Sequence, residues 1–226
     1  MHRENTEIHK KSLQDSEKNL CETLCKKMKI GLYFGTFNPI HVGHLIIANH
    51  MAEFAGLDQI WMVVTPHNPL KKKATLLSDI QRLELVFLAT EDYPKIKPSD
   101  FEFKLPQPNY TVNTLAHLQD HFPQHEFSLI MGEDNLRTFH KWKNWEVILQ
   151  NHEIYVYPRL ATSQESSEDN QTISGLNHPK IHVIDAPVVE ISSTFIRKNI
   201  KDKKNVQPLL PAKVWEYIDY NNLYKK

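Results

Sequence analysis

The chain has 226 residues, 27 of them basic and 27 acidic, for a formal net charge of zero. That length supplies one sizeable hydrophobic core or two small ones. The charge balance removes any global electrostatic case for nucleic acid or an anionic membrane as partner, and no apolar run approaches the roughly 20 residues that span a bilayer.

Residues 1–28 read as a polar N-terminal extension, with Met28 a candidate translation start, and residues 29–226 as a single domain. The start of the chain lacks the apolar stretch of a secretory signal, so a cytoplasmic protein is expected. Cys21 and Cys25 lie within the extension. Without a second cysteine pair they do not complete a zinc set, and they read as ordinary thiols of a reducing compartment.

The apolar run Ile30–Phe34 predicts a buried strand, followed by the turn Gly35-Thr36-Phe37-Asn38-Pro39-Ile40. His41-Val42-Gly43-His44 then opens a helix expected to reach Phe54, with Leu45, Ile46, Met51 and Phe54 toward a sheet and Gly56 stopping it. A helix that begins here points unpaired N–H groups and its positive dipole end at the turn. His41 and His44, three apart, share one helical face. Gly43 holds no side chain between them and a ligand, so the stretch suits a polyphosphate.

Gln59–Thr65 predicts a second buried strand, and the loop behind it, Pro66 to Lys73, leaves the strand end where open α/β sheets bind ligands. Ser78 and Gln81 form a capping box for a helix to about Glu91, with Leu83, Val86 and Phe87 inward. Lys95–Phe103 is mixed and strand-like, and Thr111 is a candidate cap for the helix that follows Pro108. Glu126–Met131 is a third clear strand, turning at Gly132. Asp134 just beyond it suits either a ribose or a helix start. Trp142 suits either core packing or ring stacking. Glu153–Tyr157 is another strand, with Arg159 after it a candidate phosphate contact, and the polar stretch 162–170 reads as a loop. Lys180–Ile184 is the next strand. Ser193 and Thr194 then offer hydroxyl and N–H donors at a helix start, with Arg197 placed to reach the same anion. A last helix runs from Pro211 to about Tyr220. Strands alternating with helices argue a Rossmann-like, doubly wound α/β fold, its sheet mainly parallel with helices on both faces.

The segment from Gly35 to His44 resembles the signature of the HxGH nucleotidyltransferases, and the chain from Lys29 to Lys226 is most similar to their nicotinate-nucleotide adenylyltransferase branch. It departs from that branch in having Phe34 where a glycine is common and Asn38 where Asp is common. The resemblance implies a reaction in which nicotinate mononucleotide attacks ATP, giving nicotinate adenine dinucleotide and pyrophosphate for NAD biosynthesis. It implies His41, His44 and Arg197 as catalytic residues. It implies Gly35, Thr36, Phe37, Gly43, Arg159, Ser193 and Thr194, with those three, around ATP. It puts Lys71, Tyr110, Thr111, Gly132, Asp134 and Trp142 around the mononucleotide. Mg²⁺ is expected on the ATP phosphates rather than in a protein cage. Homo-oligomerisation is left open. Transfer to nicotinamide mononucleotide or phosphopantetheine, and a silent nucleotide sensor, are the alternatives.

Overall fold

The protein is described by a computed structural model covering residues 27–66, 76–158 and 178–225. Lys71, Arg159, Cys21, Cys25 and the 162–170 stretch lie outside the described residues. Among the described residues, no helix is long and apolar enough to cross a membrane.

Six strands form one sheet: β1 Lys29–Gly35, β2 Gln59–Val64, β3 Ile96–Ser99, β4 Glu126–Gly132, β5 Ile154–Tyr157 and β6 Ile181–Val183. Their order is β3-β2-β1-β4-β5-β6, and every pairing is parallel. Parallel strands require crossovers, and among the described residues seven helices supply or follow them: α1 Val42–Phe54, α2 Asp79–Thr90, α3 Thr111–His121, α4 Glu133–Thr138, α5 Trp145–Asn151, α6 Ser193–Lys201 and α7 Ala212–Tyr220. This is the doubly wound arrangement expected from the sequence.

The period-2 alternation of the strands divides the core in two. Tyr33, Ile60, Met62 and Ile130 face one layer, built with α1, α2, α6 and α7. Ile30, Leu32, Leu129 and Val156 face the other, built with α3, α4 and α5. Because both faces are covered there, the central strands β1, β2 and β4 are near-continuous apolar runs, the signal by which they read as buried.

Helix faces were less legible. In α1 the buried positions are Gly43, Leu45, Ile47, Ala48, Met51 and Ala52, while Ile46 and Phe54 are exposed. In α2, Leu85, Val86 and Ala89 point inward with Arg82, and Phe87 is exposed. Ile46, Phe54 and Phe87 therefore do not pack on the sheet as the sequence suggested. Several apolar residues in each helix allow more than one stripe, and small residues such as Ala48 and Ala52 bring α1 in close.

The capping box at Ser78 is present in both directions: the Gln81 amide donates to Ser78 Oγ at 3.2 Å, and the Ser78 amide to Gln81 Oε1 at 3.3 Å. Thr111, by contrast, is not a cap. Tyr110 is the extended residue before α3 (φ −113°, ψ 134°), and Thr111 is already helical.

Leu32 is fully buried at the centre of the sheet. Leu32→Ala should lower stability by about 2–5 kcal/mol, measured by urea unfolding.

Candidate functional site

A cleft of about 670 Å³ opens where β1 and β5 end and α1 and α6 begin. Among the residues predicted for the site, it is lined by Thr36, His41, Gly43, His44, and by Ser193, Thr194 and Arg197. Two stretches about 150 positions apart in sequence thus form one wall.

The strand order places β1 beside β4, with successive connections running outward in opposite directions from that pair. No crossover helix covers the ends of the strands at such a switch point. The backbone leaves Gly35 through a tight turn in which Phe37 has φ 45°, and its buried ring turns back against β1. A Cβ on Gly35 would lie 2.7 Å from the tip of that ring, so glycine is what the packing admits. Phe37 therefore does not line the cleft but lies beneath it, edge-on to Tyr33 at 5.9 Å and to His44 at 5.1 Å.

His41 is the extended residue before α1 (φ −144°, ψ 170°). Its backbone amide donates to His44 Nδ1 at 3.2 Å. An accepting Nδ1 puts the proton of a neutral imidazole on Nε2, making that nitrogen a donor. The two imidazoles stack at 3.7 Å, with His41 almost fully buried. Side-chain volume at Gly43 would disturb this pair: a Cβ there would sit 3.0 Å from His41 Nδ1 and 2.9 Å from Val189.

Across the cleft, Ser192 caps α6 by accepting the Phe195 amide at 3.1 Å. Ser193 Oγ donates to the Pro39 carbonyl at 2.8 Å. Its hydroxyl proton is thus committed to the turn, so Ser193 offers an anion its backbone N–H, whereas Thr194, whose Oγ1 accepts from Arg197, offers its backbone N–H and its hydroxyl proton; helix geometry leaves both amides without intrahelical partners. Arg197 Nη1 donates to the Asn38 carbonyl at 2.7 Å and Nη2 to Thr194 Oγ1 at 3.2 Å. The described lining carries two helix N-termini and a guanidinium and no carboxylate, so it suits a polyanion.

Sequence reasoning missed several contributors. Arg82 is fully buried and donates from Nη1 to the Thr36 carbonyl at 2.6 Å while pairing with Asp79. Its signal was a cation three, four and seven positions before Leu85, Val86 and Ala89, on the inward stripe of α2. Tyr33 and Tyr157 meet hydroxyl to hydroxyl at 3.3 Å on the cleft lining. Each is a polar-tipped aromatic near the C-terminal end of a buried strand. Asn38, a departure from the motif, is buried on the same wall.

The residues expected around a mononucleotide fall into two groups. Gly132 ends β4 and is the residue before α4. A Cβ on it would lie 2.5 Å from Asp134 Oδ1 and 3.1 Å from the Tyr157 ring, so Asp134 adjoins the cleft through Tyr157. Tyr110 and Trp142 make the second group. Lys143 holds its ammonium 4.3 Å from the centre of the Tyr110 ring, which joins the start of α3 to the turn carrying Trp142. Trp142 itself packs edge-on against Phe139 at 5.5 Å and is partly buried on the second core layer. Tyr110, Thr111, Gly132, Asp134 and Trp142 are not on the lining of the cleft.

The cytidylyltransferase-like family model matches residues 32–199, from within β1 almost to the end of α6. A probable nicotinate-nucleotide adenylyltransferase of Flavobacterium psychrophilum is 78% identical over 88% of this chain and 100% of its own length. The chain belongs to the nicotinate-nucleotide adenylyltransferases of the cytidylyltransferase-like family. A further member, of Bacteroides fragilis, is 46% identical over 85% of this chain and 92% of its own. Among solved structures, the Plasmodium falciparum nicotinic acid mononucleotide adenylyltransferase complexed with NaAD superposes with a TM-score of 0.70 at 19% identity, covering 88% of this chain and 98% of that one. At that identity the likeness speaks for the fold.

A separate polar cluster joins the 3₁₀ turn Phe101–Lys104 to α3. Glu102 is 3% exposed. Thr114 Oγ1 donates to its Oε1 at 2.8 Å, and Asn109 Nδ2 donates to its backbone carbonyl at 3.0 Å. Burial pushes the Glu102 carboxyl above the usual range, against the opposing pull of Thr114, Thr65 and Asn109. The folded state therefore holds this proton more tightly than the unfolded chain. The stability tied to that proton is full below the ordinary Glu range and is lost as pH rises through the raised value. Glu102→Gln, which fixes a neutral side chain, should raise Tm relative to the parent protein by more at pH 8 than at pH 4, read from paired thermal melts.

Proposed function

We propose that the protein joins nicotinate mononucleotide to the adenylyl group of ATP, releasing pyrophosphate and forming nicotinate adenine dinucleotide for NAD biosynthesis in the cytoplasm. The observation that carries this reading is the convergence of the His41–His44 pair, the start of α6 and Arg197 on one cleft whose described lining has no carboxylate, in a chain of this family.

In the proposed reaction a phosphate oxygen of the mononucleotide forms a bond to the α-phosphorus of ATP. The bond from that phosphorus to the bridging oxygen of the β-phosphate breaks, and pyrophosphate carries away the electron pair. Such a transfer asks the protein for alignment and for stabilisation of charge, with no covalent intermediate. His44 Nε2–H is the donor assigned to phosphate oxygens as charge builds. His41 holds the His44 ring in register through its backbone amide and by stacking. Arg197 and the amides of Ser193 and Thr194 are assigned to the β- and γ-phosphates. ATP enters as its Mg²⁺ complex. The donors on the cleft wall suit phosphate oxygens, so the ion is assigned to the phosphates of the substrate. Asp134, Tyr110 and Trp142 are assigned to the mononucleotide side, with Asp134 nearest the cleft. Lys71 and Arg159 keep their assignments from sequence.

The test is pyrophosphate release from Mg²⁺-ATP with nicotinate mononucleotide, nicotinamide mononucleotide and phosphopantetheine offered in parallel. Turnover is expected to favour the nicotinate form, and a preference for another acceptor would overturn the substrate. His44→Ala should lower kcat by about 10²–10³-fold, the range for losing one preorganised donor to developing charge, with Tm maintained. A folded variant with near-normal kcat would remove His44 from its role.

A further inference from the structure

Beyond α7, residues 221–225 form a short tail that returns to the turn carrying Asn38. After α7, Asn222 and Tyr224 take φ of 52° and 62°. The left-handed region is unfavourable for a residue with a Cβ and most unusual for a bulky one, and an observed outlier of this kind asks what it is held for. The tail is fastened on both sides of Tyr224. The Leu223 amide donates to the Ile218 carbonyl at 3.0 Å, and Lys225 Nζ donates to Asp219 Oδ1 at 2.8 Å and Asn222 Oδ1 at 3.1 Å. These contacts aim the phenol inward, where its ring packs against the core layer that carries α1, α2, α6 and α7.

The Tyr224 hydroxyl donates to Asn38 Oδ1 at 2.7 Å, across 186 positions of sequence. Asn38 Oδ1 also accepts the Leu77 amide at 3.3 Å. Two donors on one oxygen fix which end of the amide is which, and so fix the side chain. The Asn38 carbonyl meanwhile is held by Arg197. Tyr224 feels both guanidiniums that grip this turn, Arg197 on Asn38 and Arg82 on Thr36. Burial pushes its phenol well above the ordinary range, more than these cations pull it down. The hydroxyl therefore stays a donor at any working pH.

We propose that Tyr224 is a positioning residue for adenylyl transfer: its hydroxyl fixes the Asn38 side chain and, through it, the turn that delivers His41 and His44 to the cleft. The C-terminal tail is then part of the active-site scaffold. A purely apolar anchor would need only the ring, whereas the hydrogen bond ties the tail to a residue on the cleft wall three positions before His41. This inference rests on the adenylyl-transfer reading above.

The experiment is steady-state pyrophosphate release with Mg²⁺-ATP and nicotinate mononucleotide for the parent protein, Tyr224→Phe, Asn38→Ala and the double variant, with Tm for each. Tyr224→Phe keeps the ring and removes the donor. Its kcat should fall about tenfold, the scale of one well-placed hydrogen bond, while KM for ATP stays within about twofold and Tm within a few degrees. In the Asn38→Ala background the same change should cost nothing more, since the coupling runs through Asn38. Unchanged kcat in Tyr224→Phe would overturn the positioning role while leaving the adenylyl-transfer reading intact. So would an equal loss in both backgrounds, or a collapse of Tm that makes the hydroxyl a determinant of the fold. Absence of turnover in the parent protein would overturn the adenylyl-transfer reading, and the positioning role with it.

Discussion

The carbonyls of Thr36, Asn38 and Pro39 follow the end of β1, where the sheet no longer supplies their partners, beside a cleft whose donors suit an anion. Backbone oxygens in such a place cost free energy twice: they need donors, and left unpaired near a phosphate they would repel it. The protein meets both demands with side chains. Arg82 takes Thr36, Arg197 takes Asn38 and Ser193 takes Pro39. Two of the three donors are guanidiniums, which keep their charge when desolvated and make the stronger, charge-assisted hydrogen bonds. The turn is consequently held from behind by α2 and α6, which follow it by more than 40 and 150 positions.

The geometry of the histidines depends on that lock. A helix can begin at Val42 with its dipole toward the cleft only if the preceding turn arrives in one conformation. His44 is then held by the His41 amide on Nδ1, by the stacked His41 ring, and by the edge-on Phe37 ring below. All of these contacts are made by the protein's own groups. Preorganised donors are worth most in transfer reactions where the protein supplies charge stabilisation rather than a nucleophile, because no reorganisation is charged to the barrier. The same logic accounts for the glycines. Gly35 gives way to the Phe37 ring, and Gly43 to the His41 ring and Val189.

How much of this could be read in advance follows from the range of each interaction. Buried parallel strands are continuous apolar runs, so Ile30–Phe34 and Glu126–Met131 announced themselves. The Ser78–Gln81 box and the pairing of His41 with His44 are local, set within three or four residues. Helix faces depend on which of several apolar stripes the sheet selects, and Ile46, Phe54 and Phe87 fell on the wrong side. Tyr110 displaced Thr111 as the residue before α3 because the backbone enters the helix one position earlier than hydroxyl preference alone suggests. Arg82 was hidden by the ordinary expectation that a charged side chain faces water. Its burial is intelligible only once the Thr36 carbonyl is known to need a donor.

Asn38 shows how these ranges meet in one residue. In sequence it was a substitution in a motif, with the loss of a carboxylate its main consequence. In the fold its side-chain oxygen collects donors from Leu77 and Tyr224 while its backbone oxygen collects Arg197. A carboxylate there could accept the same bonds, but it would add a negative charge to a wall otherwise free of carboxylates among the described residues, close to where a triphosphate is proposed to bind. An amide accepts the same donors without that charge, and its nitrogen end remains a donor. The departure from the motif is therefore compatible with both the architecture of the turn and the electropositive character of the cleft. It shifts the burden of holding the turn from charge to hydrogen-bond geometry, and it makes the exact placement of the partners, the end of the chain among them, matter more.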